Sequence, residues 1–187
     1  CLKKWQKSIN LISPKTLDEI WGRHFYDSAQ LLTYLPDNLT RLVDLGSGGG
    51  FPGAILAILL AEKGVEIHLI DSDKRKGAFL REALRQSGAK AKVHTARIEE
   101  VYAAELGPVD VVTARACAPL ADLLGLAAPF FNPQTVGLFL KGQQVGDELT
   151  AAHKCWKFDA EEYPSRSDPA GTIVKIKGLA RGDDHAQ

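Results

Sequence analysis

The chain has 187 residues, 45% apolar and 25% charged, which suits an ordinary globular protein with one sizeable core. Its 23 basic and 23 acidic residues cancel, so bulk charge points to no polyanion and any such partner must be met by a local patch. Cysteines 1, 117 and 155 show no paired spacing, which argues against a disulfide framework or a metal site and fits a reducing cytoplasm.

Residues 1–36 read as an N-terminal helical segment. Trp5, Ile9 and Ile12 share one helical face up to Pro14, and Leu17 to Leu35 keeps a period near 3.6 until Pro36. From residue 41 the pattern becomes alternation. "RLVDL" (41–45) is a short β-rich run, and "PGAILAILLAEKG" (52–64) is a buried helix with Pro52 in its first turn and Gly64 past its end. Its apolar run, Ala54 to Ala61, is too short to span a membrane. No charged-then-apolar leader opens the chain, so no secretion signal is expected. "VEIHLI" (65–70) is the next strand, and 74–86 an amphipathic helix stopped by Gly88. Strands follow at 91–96, 109–114 and 135–141, with helices over 120–128 and from Asp147. Two last strands, 157–163 and 172–178, have no helix between them, and 179–187 reads as a frayed tail. Alternation of this kind specifies a mostly parallel sheet covered on both faces, here ending in an antiparallel hairpin.

The stretch "LVDLGSGGGFPG" (42–53) places glycines at 46, 48, 49, 50 and 53 just where the first strand ends. In an open α/β sheet, ligands bind beyond the carboxyl ends of the strands, at the point where strand order reverses. Gly48, Gly50 and Gly53 match the dinucleotide spacing G-x-G-x-x-G, but three residues late and with Pro52 inside it. Counted from the strand end, Gly46, Gly48 and Gly50 form G-x-G-x-G after Asp44, the pattern of S-adenosylmethionine (SAM)-dependent methyltransferases. A carboxylate at 44 suits the ligand's ammonium group, directly or through water, and bare backbone lets its sulfonium part approach closely. Asp71, at the end of the second strand, suits an adenosine ribose. The same residue reads equally as an N-cap, a role open also to Ser72 or Asp73. "ARIEE" (96–100) lies where an adenine would be gripped.

These motifs resemble, in order along nearly the whole chain, the RsmG (GidB) family. "DLGSGGGFPG" resembles its signature, and "INLIS" (9–13), "RHFYDS" (23–28), "LIDSDKRKGAFL" (69–80), "RIEE" (97–100), "ARACAPL" (114–120) and "FLKGQ" (139–143) follow at its intervals. The resemblance implies a single domain of Rossmann-like class I SAM-dependent methyltransferase fold, its core at 41–178. It implies methylation of N7 of a guanine in small-subunit (16S) ribosomal RNA, with SAM as cofactor and no metal. By motif, the expected cofactor contacts are Gly46, Phe51, Ile98, Glu99 and Arg115. Ile12, Ala114 and Cys117 depart from the family's usual residues.

Guanine N7 carries an in-plane lone pair, so transfer requires alignment and desolvation and no general base. Arg115, ending the fourth strand, has the forked geometry to hold a base edge or phosphate, and is the expected catalytic group. Lys141 is a rim lysine within reach of phosphate or a generic surface charge. His24 and Asp27 share a helical face, either at the substrate mouth or as a buried docking pair. Cys117 reads as packing. Lys74, Arg81 and Arg85 make one basic stripe, suited to RNA phosphates or simply a solvated face. The expected partner is 16S RNA or a small-subunit particle, bound by a monomer without a membrane. Two alternatives stand beside this: a small-molecule methyltransferase sharing the cofactor half, and a non-catalytic RNA-binding assembly protein.

Overall fold

The structure, a computed structural model, describes residues 1–182. Seven strands form one sheet: β1 (Arg41–Leu45), β2 (Glu66–Ile70), β3 (Lys92–His94), β4 (Val111–Arg115), β5 (Val136–Lys141), β6 (Trp156–Pro164) and β7 (Thr172–Arg181). Their spatial order is β3-β2-β1-β4-β5-β7-β6; β1 to β5 pair in parallel, and β7 pairs antiparallel with both β5 and β6. The chain runs outward from β1 to β3 and then returns to β4. Strand order therefore reverses between β1 and β4, where Asp44 lies beside Thr113 and Leu45 beside Ala114.

The sheet's period of two divides the core into two layers. Leu42, Leu69, Val111 and Leu138 face α3 (Gly53–Leu59) and α4 (Lys74–Ser87). Val43, Ile70, Val112 and Phe139 face α6 (Leu120–Ala127) and α7 (Val145–Ala152). A short α5 (Ala103–Leu106) precedes β4. In α4 the Asp73 carboxylate accepts hydrogen bonds from Arg75 N (2.8 Å) and Lys76 N (3.2 Å), while Gly88 closes the far end at φ 72°. Asp73 is thus the cap, and Asp71 is not needed for that task.

The N-terminal segment differs from the continuous helices its periodicity predicts. α1 covers only Leu2–Trp5. Beyond it the Gln6 side chain takes over the bonding, accepting from Leu11 N (3.0 Å) and Ile12 N (3.1 Å) and donating to Ile12 O (2.8 Å). A side chain that satisfies backbone groups in this way competes directly with helix. Ile9 and Ile12 are buried all the same. The second predicted helix starts only at Trp21. It opens with a wide π turn, Trp21–Tyr26, continues as α2 (Asp27–Ala29) and tightens to a 3₁₀ turn over Gln30–Tyr34. At the other end, β7 runs on to Arg181, with Ala180 and Arg181 paired to Lys157 and Trp156, so the predicted tail begins too early; residues 183–187 lie outside the described residues.

Candidate functional site

The glycine-rich loop begins directly after β1, and its backbone explains its composition. Gly46, Gly48 and Gly50 have φ of 64°, 51° and 88°, values that side-chain-bearing residues rarely adopt. A Cβ on Gly46 would stand 2.7 Å from Cys117 Sγ, which no packing tolerates. Gly48 is different: a Cβ there would meet nothing closer than Gly46 O at 3.7 Å, so its bare backbone faces open space. Asp71 fixes this curve from the neighbouring strand, accepting Gly48 N on Oδ2 (2.7 Å) and Asp73 N on Oδ1 (2.8 Å). Each of its oxygens keeps a second lone pair for a ligand hydroxyl.

Asp44 is fully buried, so as the chain is packed it offers no exposed oxygen for direct contact with a ligand ammonium. Oδ1 accepts from Thr113 Oγ1 (2.7 Å) and Oδ2 from Gly53 N (3.2 Å), so the group braces loop and α3 against β4 from beneath. Burial pushes its pKa up to about 6, opposed by the hydrogen bonds from Thr113, Ser47 and Gly53 and by the Arg115 charge. A carboxyl whose folded pKa lies above its ordinary 3.8 binds its proton more tightly in the native state. The stability it contributes is present below about pH 4 and is lost as pH rises through about 6. Asp44→Asn is expected to remove that dependence, gaining on the order of 2 kcal/mol at pH 8 relative to the parent. Urea unfolding of both proteins between pH 4 and 8 checks this; parallel curves across the range refute it.

Ile98 and Glu99 open a 3₁₀ turn after β3, with Ile98 half-buried against the second core layer. Burial pushes the Cys117 thiol pKa up, helped by the charges of Asp44, Asp71 and Glu99 and opposed by Lys141. A thiol held protonated in this way is a packing residue and no nucleophile.

Beside the cradle lies a cleft of about 650 Å³. Its walls are the N-terminal segment (Leu11 to Asp27), the ends of β4 and β5, and the loop between β6 and β7. Arg115 stands at the border of cradle and cleft. Its Nη1 donates to Arg23 O (3.2 Å) and lies 3.7 Å from Asp27 Oδ2; its Nη2 donates to His24 Nδ1 (2.8 Å). The guanidinium also lies over the Phe51 ring, 5.0 Å from its centroid. The next residue, Ala116, has φ 49°, strain of a kind that concentrates at functional sites.

His24 is buried, and its pKa is lowered to about 4 by burial and Arg115, with Asp27 opposing. It is therefore neutral near pH 7. Since Nδ1 accepts from Arg115, Nε2 carries the hydrogen and donates to Thr16 Oγ1 (2.7 Å). Asp27 is a hub: its Oδ1 accepts from Gln30 Nε2 (2.8 Å), Ser165 Oγ (3.0 Å) and Ser167 Oγ (2.6 Å). His24 and Asp27 are buried anchors, and both line the cleft.

Lys141 does line the cleft, but its side chain is only 6% exposed. Nζ pairs with Glu148 Oε2 (2.6 Å) and donates to Ala118 O (2.8 Å), while Glu148 accepts Leu120 N (2.7 Å) at the start of α6. The predicted phosphate contact is thus replaced by a brace for the 116–119 turn. Lys74, Arg81 and Arg85 are all exposed on α4. Arg81 is tied to Val93 O (3.1 Å) and Thr95 Oγ1 (2.8 Å), and Arg85 to Glu82 (2.8 Å), so the stripe is partly neutralised. Sequence reasoning missed the loop Ser165–Gly171, and with it Ser165, Ser167 and Asp168. The signal was present as "PSRSDPAG", a turn-rich connection too long for a tight hairpin.

A parallel sheet with this strand order, a glycine cradle at its reversal point and an acidic residue ending the next strand define the class I SAM-dependent methyltransferase fold. Solved structures with this fold are similar along most of their length. A SAM-dependent methyltransferase from Aquifex aeolicus matches with TM-score 0.64 at 14% identity, over 94% of this chain and 97% of that one. M. jannaschii TYW2, solved in complex with AdoMet, gives TM-score 0.64 at 16% identity, over 94% and 80%. The chain belongs to the GidB family, described as rRNA small subunit methyltransferase G, whose pattern matches residues 1–178. A ribosomal RNA small subunit methyltransferase G from Parvibaculum lavamentivorans is 57% identical over 95% of this chain and 79% of its own length. Its counterpart from Rhodospirillum centenum is 52% identical over 96% and 80%.

Proposed function

We propose that this protein transfers a methyl group from SAM to N7 of a guanine in small-subunit (16S) ribosomal RNA, acting as a monomer in the cytoplasm. The observation that carries the reading is a bare-backbone cradle, curved by Asp71, opening beside a cleft in which Arg115 is held at the border. SAM supplies an electrophilic methyl. Gly46, Gly48, Gly50 and Phe51 line its methionyl side, Asp71 takes the ribose hydroxyls, and Ile98 and Glu99 flank the adenine.

On the substrate side, His24 has both ring nitrogens engaged and a pKa near 4, so it is no acceptor for a proton at pH 7. Asp27 is held by Gln30, Ser165 and Ser167. N7 suits such a site, since its lone pair is exposed without deprotonation and needs neither of these groups as a base. Arg115, fixed by three neighbours, orients the base or its phosphate at the border with the cradle. The α4 stripe of Lys74, Arg81 and Arg85 adds phosphate contacts. Among the described residues no helix is long and apolar enough to cross a membrane, and no cluster of side chains suits a metal ion.

The test incubates the protein with methyl-labelled SAM and small-subunit RNA, free or in particles, from a strain lacking the enzyme. Label mapped to 7-methylguanosine at one position is expected. Label in a small metabolite but not in RNA marks a small-molecule enzyme; RNA binding without transfer marks an assembly protein.

A further inference from the structure

Both purines present N7 on the same edge with the same in-plane lone pair, so the reacting atom cannot select guanine. Nor can an arginine fork across O6 and N7, since N7 must stay open to the methyl group. Selection has to come from the opposite edge. There guanine offers an acceptor, O6, beside two donors, N1–H and N2–H; adenine offers a donor beside an acceptor. A reader of guanine therefore sets an N–H donor next to a carboxylate oxygen.

The carboxylates lining the cleft are Asp27, Glu148 and Asp168. Asp27 has three donors on Oδ1 and the Arg115 guanidinium facing Oδ2. Glu148 is clamped to a lysine whose side chain is 6% exposed, so that pair cannot present a donor edge to a base. Asp168 differs. Its Oδ1 meets Arg23 Nη1 (3.2 Å) and Ala170 N (3.0 Å), and among the described residues nothing donates to Oδ2. Arg23 spends Nη1 on this pair and keeps Nε and Nη2. The two side chains remain 36% and 30% exposed, and both line the cleft. The Arg23 carbonyl also holds Arg115 Nη1, which ties the pair to the border with the cradle.

We propose that the Arg23–Asp168 pair is the guanine-selecting element, Arg23 donating to O6 and Asp168 Oδ2 accepting N1–H and N2–H. The assignment rests on the guanine-N7 reading above. A partly exposed ion pair that merely tied the loop to the N-terminal segment would contribute little to stability and be indifferent to the base.

The experiment compares kcat/KM on small-subunit RNA carrying guanine or inosine at the mapped position. Inosine keeps N7, O6 and N1–H and lacks only the 2-amino group. Losing one charge-assisted hydrogen bond gives the parent a guanine preference of about tenfold or more. Asp168→Asn retains an oxygen for Ala170 N and turns the free acceptor into a donor. Its preference is expected to fall to about one, with SAM affinity and thermal midpoint as in the parent. Asp168→Ala should give the same ratio. An unchanged ratio, equal losses on both RNAs, or a ratio that follows Glu148→Gln instead would overturn the assignment. A parent that labels guanine elsewhere than N7 removes the reading beneath it.

Discussion

Asp71→Ala is expected to weaken SAM binding by about 100-fold while the protein still folds. A hydrogen bond to a charged acceptor contributes about 1.5–3 kcal/mol, and in the function proposed above two ribose hydroxyls depend on this one carboxylate. The same oxygens hold Gly48 N and Asp73 N, so the variant also relaxes the loop that must approach the ligand. The fold survives because α4 keeps its own cap in Asp73 and because Asp71 lies at the end of β2, outside the buried layers. Calorimetric titration with SAM, beside circular dichroism of the same samples, checks both halves. Binding within threefold of the parent, on a folded variant, takes Asp71 out of the site.

Much of this site was legible in the sequence because its parts obey local rules. Three glycines with positive φ announce themselves by composition, and strand ends are set by alternation, so Gly46, Gly48, Gly50 and Asp71 fall where the spacing puts them. Cys117 as packing was legible for the same reason. What sequence could not show was which charged side chains would find each other. Lys141 looked like a rim cation because nothing local reveals that α7 brings Glu148 to it. Asp44 looked available for a ligand because its partners, Thr113 and Gly53, come from β4 and α3. The N-terminal helices were over-read for a different reason. Periodicity records which face is buried, and Ile9 and Ile12 are buried; it does not record that the Gln6 side chain replaces helical bonding around them. The Ser165–Gly171 loop was missed because its role is wholly tertiary, through Asp27, Gln30 and Arg23.

That loop bears on the largest catalytic effect expected here. Arg115 reaches His24, the Arg23 carbonyl and Asp27 together, and those residues hold the N-terminal segment and the β6–β7 loop around the cleft. Lysine keeps the charge but has one ammonium in place of a planar fork, and cannot meet three partners in fixed directions. Arg115→Lys is therefore expected to lower kcat by about 100-fold, since misplacing a positioning group by about an ångström costs that much. SAM affinity should change far less, because the glycine backbone and Asp71 are untouched. Arg115→Ala should lose as much activity and also stability, for it leaves the carboxylate of Asp27 without its guanidinium in a half-closed site. Single-turnover transfer at saturating SAM and RNA separates the step from binding. If Arg115→Lys keeps the parent's single-turnover rate, the arginine is a brace between segments and the alignment of base and methyl must come from the cleft walls alone.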